Sequence, residues 1–204
     1  MKITPISVEM LEKPKSPITA YRKIEEAGRT CYKSHNKNAS EDITKSFIKG
    51  LIKSGHTSVL EHLNISFRIV CDRGTSHQLV RHRHIAISQQ STRYVDSKDL
   101  EVIQPLGMSA DSIEYKLWYD GVNHIERVYN ALLSETNSKD LARSILPLCT
   151  KTELILTANA REWRHIIEQR STPHAHENIR KLASLILEEL CLHYPVIFED
   201  LSVE

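Results

Sequence analysis

Between Arg81 and Arg93 the chain runs Arg-His-Arg-His-Ile-Ala-Ile-Ser-Gln-Gln-Ser-Thr-Arg, which gathers three arginines and two histidines among hydroxyls and amides. Arginine offers a planar fork of donors that pairs bidentately with phosphate or carboxylate and keeps its charge near neutrality, while Ser and Gln add short neutral donors. The stretch is suited to hold an anion; the plainer alternative is a solvated basic face. Histidines also pair at His82/His84, His174/His176 and His56/His62. None has the HExxH form and their neighbours are mostly arginine, so no metal site is expected. A nucleophilic Ser91 would need His82 or His84 as its base, but no GxSxG elbow or orienting acid accompanies it. Neither a GxGxxG fingerprint nor a Walker loop occurs, and the chain has only 6 glycines. A nucleotide phosphate would therefore be met by side chains, not by a glycine-lined backbone.

Composition says how widely that charge is spread. The 204 residues carry a formal net charge of +1, 40% hydrophobic and 26% charged residues, as in an ordinary soluble globular protein. Near-balanced charge argues against general nucleic-acid binding, which scales with the phosphates neutralised. A small phosphorylated ligand in a pocket fits a local cluster better. Cys31, Cys71, Cys149 and Cys191 form no CxxC pair and read as small buried hydrophobes. Without a signal-like leader or an apolar run long enough for a bilayer, the chain is expected to be cytoplasmic, with reduced thiols and no membrane partner.

The elements that must position these residues alternate in period. Met1 to Val8 reads as an opening strand; Ala20 to Tyr32 and the run Ile43, Phe47, Leu51, Ile52 read as helices, the second stopping at Gly55. From Leu63 to Cys71 apolar residues alternate with Asn64, Ser66, Arg68 and Asp72, the pattern of a strand with one buried face. Thr75 to Arg83 returns to helix, with Leu79 and Val80 able to face a core. Ser112 to Leu133 is a long amphipathic helix that needs a partner surface. Leu141 to Leu146 is a short helix cut by Pro147, and Glu153 to Ala158 has the apolar density of a buried strand, though a helix fits so short a run as well. Arg161 to Gln169 and His176 to His193 are helical, the last stopped by Tyr194-Pro195. Within the sixth of these helices an i,i+4 pair of Arg164 with Glu168 is expected, and Trp163 and Tyr94 are expected in the core. With no repeat or Gly/Ser linker, 1–204 reads as one domain.

Arg81-His82-Arg83, seven residues and then Ser91 resemble the RHR-x7-S signature of flavin-dependent thymidylate synthases, and Thr92-Arg93-Tyr94 continues in that family's manner. Gly55 to His62 (Gly-His-Thr-Ser-Val-Leu-Glu-His), Ser76 to Val80, and Asn159-Ala160-Arg161 followed by Arg170 resemble further blocks in the same order. The resemblance implies reductive methylation of dUMP to dTMP, with a one-carbon unit from 5,10-methylenetetrahydrofolate and hydride from FAD reduced by NADPH. It also implies an α/β (α+β) fold with a central mixed or antiparallel sheet flanked by helices, assembled as a homotetramer whose active sites are shared between subunits.

By the same resemblance, FAD would be met by His56, Ser58, Arg81, His82, Arg83, Gln89, Asn159, Ala160, Arg161 and His165. The dUMP site would draw on Gln78, Leu79, Val80, Arg81, Gln89, Gln90, Ser91, Thr92, Arg93, Arg143 and Arg170, with Arg143 on the phosphate. Arg170 is expected to be catalytic, its guanidinium at the O2/N3 side of uracil stabilising charge as C5 becomes nucleophilic. Ser91 would then only donate a hydrogen bond. Ala86, Gln89 and His165 stand where members often have Ser, Glu and Asn. A ligand-sensing nucleotide-binding module and RNA binding through the basic stretch are the readings from other classes. Flavin absorbance that NADPH bleaches would set the enzyme apart from the first, and steep salt dependence would mark the second.

Overall fold

The structure is a computed structural model that describes residues 1–34 and 39–202. The strands are β1 (Lys2–Ile3), β2 (Ser7–Met10), β3 (Asn64–Asp72), β4 (Ile85–Gln89), β5 (Glu101–Val102) and β6 (Lys151–Asn159). The helices are α1 (Ile18–Cys31), α2 (Glu41–Lys53), α3 (Arg73–Leu79), α4 (Ile113–Thr136), α5 (Lys139–Ala142), α6 (Ala160–Arg170), α7 (Glu177–His193) and α8 (Pro195–Phe198), with 3-10 turns at Thr57–His62 and Arg143–Ile145. The four-stranded sheet has the order β2-β3-β6-β4 and is antiparallel throughout, while β1 and β5 form a separate parallel pair. The opening strand of the sequence reading is thus two short strands in different sheets.

The two-residue repeat explains how the sheet buries itself. Ile65, Phe67, Ile69 and Cys71 on β3 lie across from Ala158, Leu156, Leu154 and Thr152 on β6, and all are buried. That face meets α1, α2, α6 and α7 in one core that includes Tyr21, Ile48 and Trp163 together with Ile186 and Leu187 of α7. The opposite face carries polar pairs, among them Ser66 with Thr157 at 2.7 Å and Arg68 with Glu153 at 2.6 Å. Trp163 ties α6 to the sheet: its indole N–H donates to the Ile65 carbonyl at 3.0 Å and its ring meets Phe67 edge-on at 5.0 Å. Truncating so buried an indole to alanine costs about 3–5 kcal/mol.

Several local expectations shift. The α3 helix ends at Leu79, so Arg81-His82-Arg83 lie in the turn beyond it, and Val80 is 41% exposed. The run Ile85 to Gln89, inside the basic stretch, is the edge strand β4, with Ile85 and Ile87 turned to the core. Glu153 to Ala158 is strand. Pro195 does stop α7, yet it also opens α8, because at the first helical position its missing N–H costs nothing. Tyr94 is 77% exposed, not core. Of the cysteines only Cys71 is buried, and Cys31 is exposed. Arg164 pairs with Asp200 at 2.6 and 2.7 Å and with the Ile197 carbonyl, not with Glu168. Near-burial on α6 turns Arg164 inward to α8, where it is satisfied by groups far along the chain.

Candidate functional site

Arg170, at the end of α6, is held by two acceptors. Its Nε donates to His82 Nε2 at 3.1 Å and its Nη2 to the Gln78 carbonyl at 3.0 Å. The Gln78 carbonyl lies in the last turn of α3, where C=O groups have no helical partner and the dipole is negative, so a cation there is doubly favoured. The α3 helix is itself fixed by Asp72, which accepts from the Thr75 amide and hydroxyl at 2.6 Å each and from Asn178 Nδ2 at 2.9 Å. Burial lowers the Arg170 pKa from the ordinary arginine value.

Behind Arg170 lies a small buried polar group. His82 Nδ1 is 3.3 Å from Glu162 Oε1, and both residues are under 9% exposed. Burial, the Arg170 charge and His165 push the His82 pKa down to about 4, so the imidazole is neutral near pH 7. His82, Glu162 and His165 bring one ligand atom each to within 4.8 Å of one another, a spacing a metal ion could use. The Arg170 guanidinium donates to His82 Nε2 and repels a cation there.

Two adjoining cavities open beside this group. One of about 460 Å³ is lined by Asn159, Arg161, Glu162 and His165 of the β6–α6 corner, with Thr57, Glu61, His84, Arg164 and Glu168. The other, about 360 Å³, carries His56, Ser58 and Gly55, and shares Thr57 and Arg161 with the first. Gly55 takes φ +75°, the left-handed turn that ends α2 and leads into His56. The walls alternate donors with the acceptors Glu61 and Glu168, which suits a long ligand bearing both hydroxyls and phosphates. Its chemistry fits FAD: Asn159, Arg161 and His165 line the first cavity, and His56, Ser58 and Arg161 the second.

A third cavity of about 330 Å³ is lined by Arg73, His77, Thr92, Asp140, Arg143 and Ser144, among others. Asp140 Oδ1 sits 2.9 Å from Arg143 Nε and 3.1 Å from Arg93 Nε, so one carboxylate holds both arginines beside the hollow. The anion-binding residues expected for dUMP therefore fall into two groups: Thr92, Arg93 and Arg143 around Asp140, and Gln78 with Arg170. Ser91 accepts from the Arg93 amide at 3.3 Å. Gln89 spends its amide nitrogen on Ser76 at 2.9 Å and Thr152 at 3.1 Å, and Gln90 Oε1 is buried without a partner among the described residues. Leu79 and Ala160 are buried, so only their backbone could meet a ligand, and exposed Arg81, Arg83 and Val80 line none of these three cavities.

Sequence reasoning missed Glu162, Asp140, Arg73 and His77. Asp140 had a local signal, its i,i+3 spacing to Arg143. Glu162 was masked by its place: Asn159 caps α6 by accepting from the Glu162 amide at 2.9 Å, so N-x-x-E reads as a helix start and nothing more.

An antiparallel α/β scaffold that fixes one half-buried arginine, Arg170, and sets others around open anion-sized hollows defines a protein built for a phosphorylated ligand. Residues 17–196 match the family model described as thymidylate synthase complementing protein. A flavin-dependent thymidylate synthase of Mycobacterium tuberculosis (strain H37Rv) is 36% identical over 197 residues, spanning 88% of this chain and 79% of that protein. One from Mycobacterium sp. (strain JLS) is 35% identical over 201 residues with the same coverage of 88% and 79%. Among solved structures, the UMP/dUMP methylase PolB from Streptomyces cacaoi, bound with 5-Br dUMP, superposes with a TM-score of 0.80 at 22% identity, over 98% of this chain and 96% of that one. The chain belongs to the thymidylate synthase complementing protein family.

Proposed function

We propose that this chain is a flavin-dependent thymidylate synthase that converts dUMP to dTMP, with 5,10-methylenetetrahydrofolate as the one-carbon donor. FAD, when bound and reduced by NADPH, supplies the hydride that completes the methyl group. The observation that carries the reading is Arg170, held at Nε and Nη2 so that the rest of its fork is free to meet a ligand. A guanidinium on the O2/N3 side of uracil stabilises the negative charge that develops as C5 becomes nucleophilic, and no enzyme nucleophile is required. Arg143 and Arg93, loosely held by Asp140, suit the substrate phosphate, which would draw them from the carboxylate. His56, Ser58, Asn159, Arg161 and His165 suit the flavin dinucleotide, with Arg81, His82, Arg83, Gln89 and Ala160 completing the set. Ser91, Gln90 and Thr92, with Gln78, Arg81, Gln89 and the backbone near Leu79 and Val80, complete the dUMP set.

The exposed arginines Arg81 and Arg83 support a homotetramer with shared sites, since they line none of the three cavities of their own chain described above. So does α4, where Ile113 and Leu117 are 75% and 70% exposed. The chain is read as one cytoplasmic catalytic domain, 1–204; no helix of the described residues is long and apolar enough to cross a membrane. Purified protein should be yellow, bleach on adding NADPH, and form dTMP from dUMP only when methylenetetrahydrofolate is present. A colourless protein that binds dUMP and never takes up FAD would refute the reading. Light scattering of a fully active monomer would refute shared sites.

A further inference from the structure

The hydrogen bond that Arg170 donates to His82 sets which ring nitrogen carries the proton. An arginine Nε–H can only donate, so the His82 Nε2 facing it at 3.1 Å must present a lone pair. A neutral imidazole then carries its proton on Nδ1, and Nδ1 faces Glu162 Oε1 at 3.3 Å. Three side chains thus form a directed line, with the Glu162 carboxylate 3.3 Å from His82 Nδ1 and the far nitrogen of the same ring accepting from Arg170. The burial of His82 at 6% and Glu162 at 8% exposure makes the arrangement stringent, because a buried donor or acceptor left unmet costs more than an exposed one.

Removing the carboxylate changes what His82 can do. With no acceptor at Nδ1, the ring is free to move its proton to Nε2, where it would meet the Arg170 Nε–H donor to donor. That contact cannot hold, and Arg170 would keep only the Gln78 carbonyl as an anchor. A guanidinium on one anchor swings about its long stem, and its remaining donors lose their aim. The loss would fall on turnover more than on binding, since charge stabilisation in a transition state depends on preorganised direction.

We propose that Glu162 is a positioning residue: its carboxylate beside Nδ1 favours the proton on that nitrogen and so holds the imidazole in the tautomer whose Nε2 receives Arg170, which fixes where the guanidinium faces the substrate. The consequence for substrate rests on the activity proposed above; the tautomer itself does not. The part played is that of an outer acceptor that orients a histidine, here acting on an arginine instead of a metal.

Nitrogen-15 spectra of histidine-labelled protein, with the His82 signal assigned by its loss in His82→Gln, give the direct test. The native protein and Glu162→Gln, whose amide oxygen still accepts, should both show the Nδ1–H tautomer, and Glu162→Leu should show Nε2–H or an average. In turnover assays Glu162→Leu should lower kcat about 10- to 100-fold, the range typical of lost outer-shell partners. Its dUMP dissociation constant should change less than about threefold, and Glu162→Gln should recover turnover to within about threefold of native. An Nε2–H tautomer in the native protein would overturn the proposal whether or not the leucine variant folds. So would equal losses of turnover in the Gln and Leu variants. A native protein with the expected tautomer but no dTMP formation would count against the proposed activity, and leave the arrangement of the three side chains standing.

Discussion

The arginines around the site are held in two ways. Arg164 and Arg170 point inward and find their partners within the fold: Asp200 and the Ile197 carbonyl for one, His82 and the Gln78 carbonyl for the other. Arg81, Arg83, Arg93, Arg143 and Arg161 are exposed or nearly so, and those with a partner share a solvated carboxylate, Asp140 or Glu61. An ion pair between exposed side chains is worth about 0–1 kcal/mol, so a phosphate can displace it with little loss. Arg164, buried, and Arg170, half-buried with two fold partners, cannot be redirected so cheaply. The difference separates a group whose direction is set before any ligand arrives from groups whose direction the ligand sets.

Arg170→Lys is the strongest way to break that contrast. Lysine keeps the charge but cannot bond His82 and the Gln78 carbonyl through one planar fork. Turnover should fall by about 2.7–4 kcal/mol of transition-state stabilisation while dUMP still binds, as single-turnover kinetics and titration would separate. Unchanged turnover would remove Arg170 from the chemistry.

Acid attacks the same interior through His82. Its pKa in the folded protein, about 4, lies below the ordinary histidine value of 6.5, so between these values the unfolded chain takes up a proton that the folded one refuses. The stabilisation is full above about pH 6.5 and drains away as pH falls towards 4, on the order of 3 kcal/mol across the window. Arg170, Glu162 and His165 all face the ring. Urea melts should show native stability falling across this window and a flatter profile in His82→Gln; equal slopes in the two proteins would assign the effect to another group.

The rim should respond more mildly. Ser91→Ala is expected to weaken dUMP binding and slow methylation by about 1.5–3 kcal/mol, the value of a hydrogen bond to a charged group, and still to form dTMP. A trapped Ser91–uracil adduct would contradict it. Smallest of all, Glu61→Gln at the exposed Arg161 pair should change stability by about 0–1 kcal/mol in a thermal melt.

The rim was legible in the sequence because its residues are neighbours there: Arg81 to Arg93 is a single run of donors, and the alternation from Leu63 to Cys71 announced the strand that carries the core. The interior was not. Arg164 meets Asp200 across 36 positions and Arg170 meets His82 across 88, so no local period could join them. Ile85 to Gln89 alternates as a strand should, yet it lies inside the basic stretch, where donor chemistry overlays the backbone pattern. The division into two anion-binding groups also needed the fold, since Asp140 and Arg93 come from separate segments.

The Gln78 contact has one more consequence. Arg170 touches the carbonyl of that residue and not its amide side chain, and every amino acid carries a carbonyl. The anchor is therefore indifferent to the identity of position 78 and sensitive to where α3 stops. Drift at that position can erase the glutamine from a relative and leave the anchor in place, whereas a single inserted residue between Asp72 and Leu79 would abolish it without altering any residue that touches substrate.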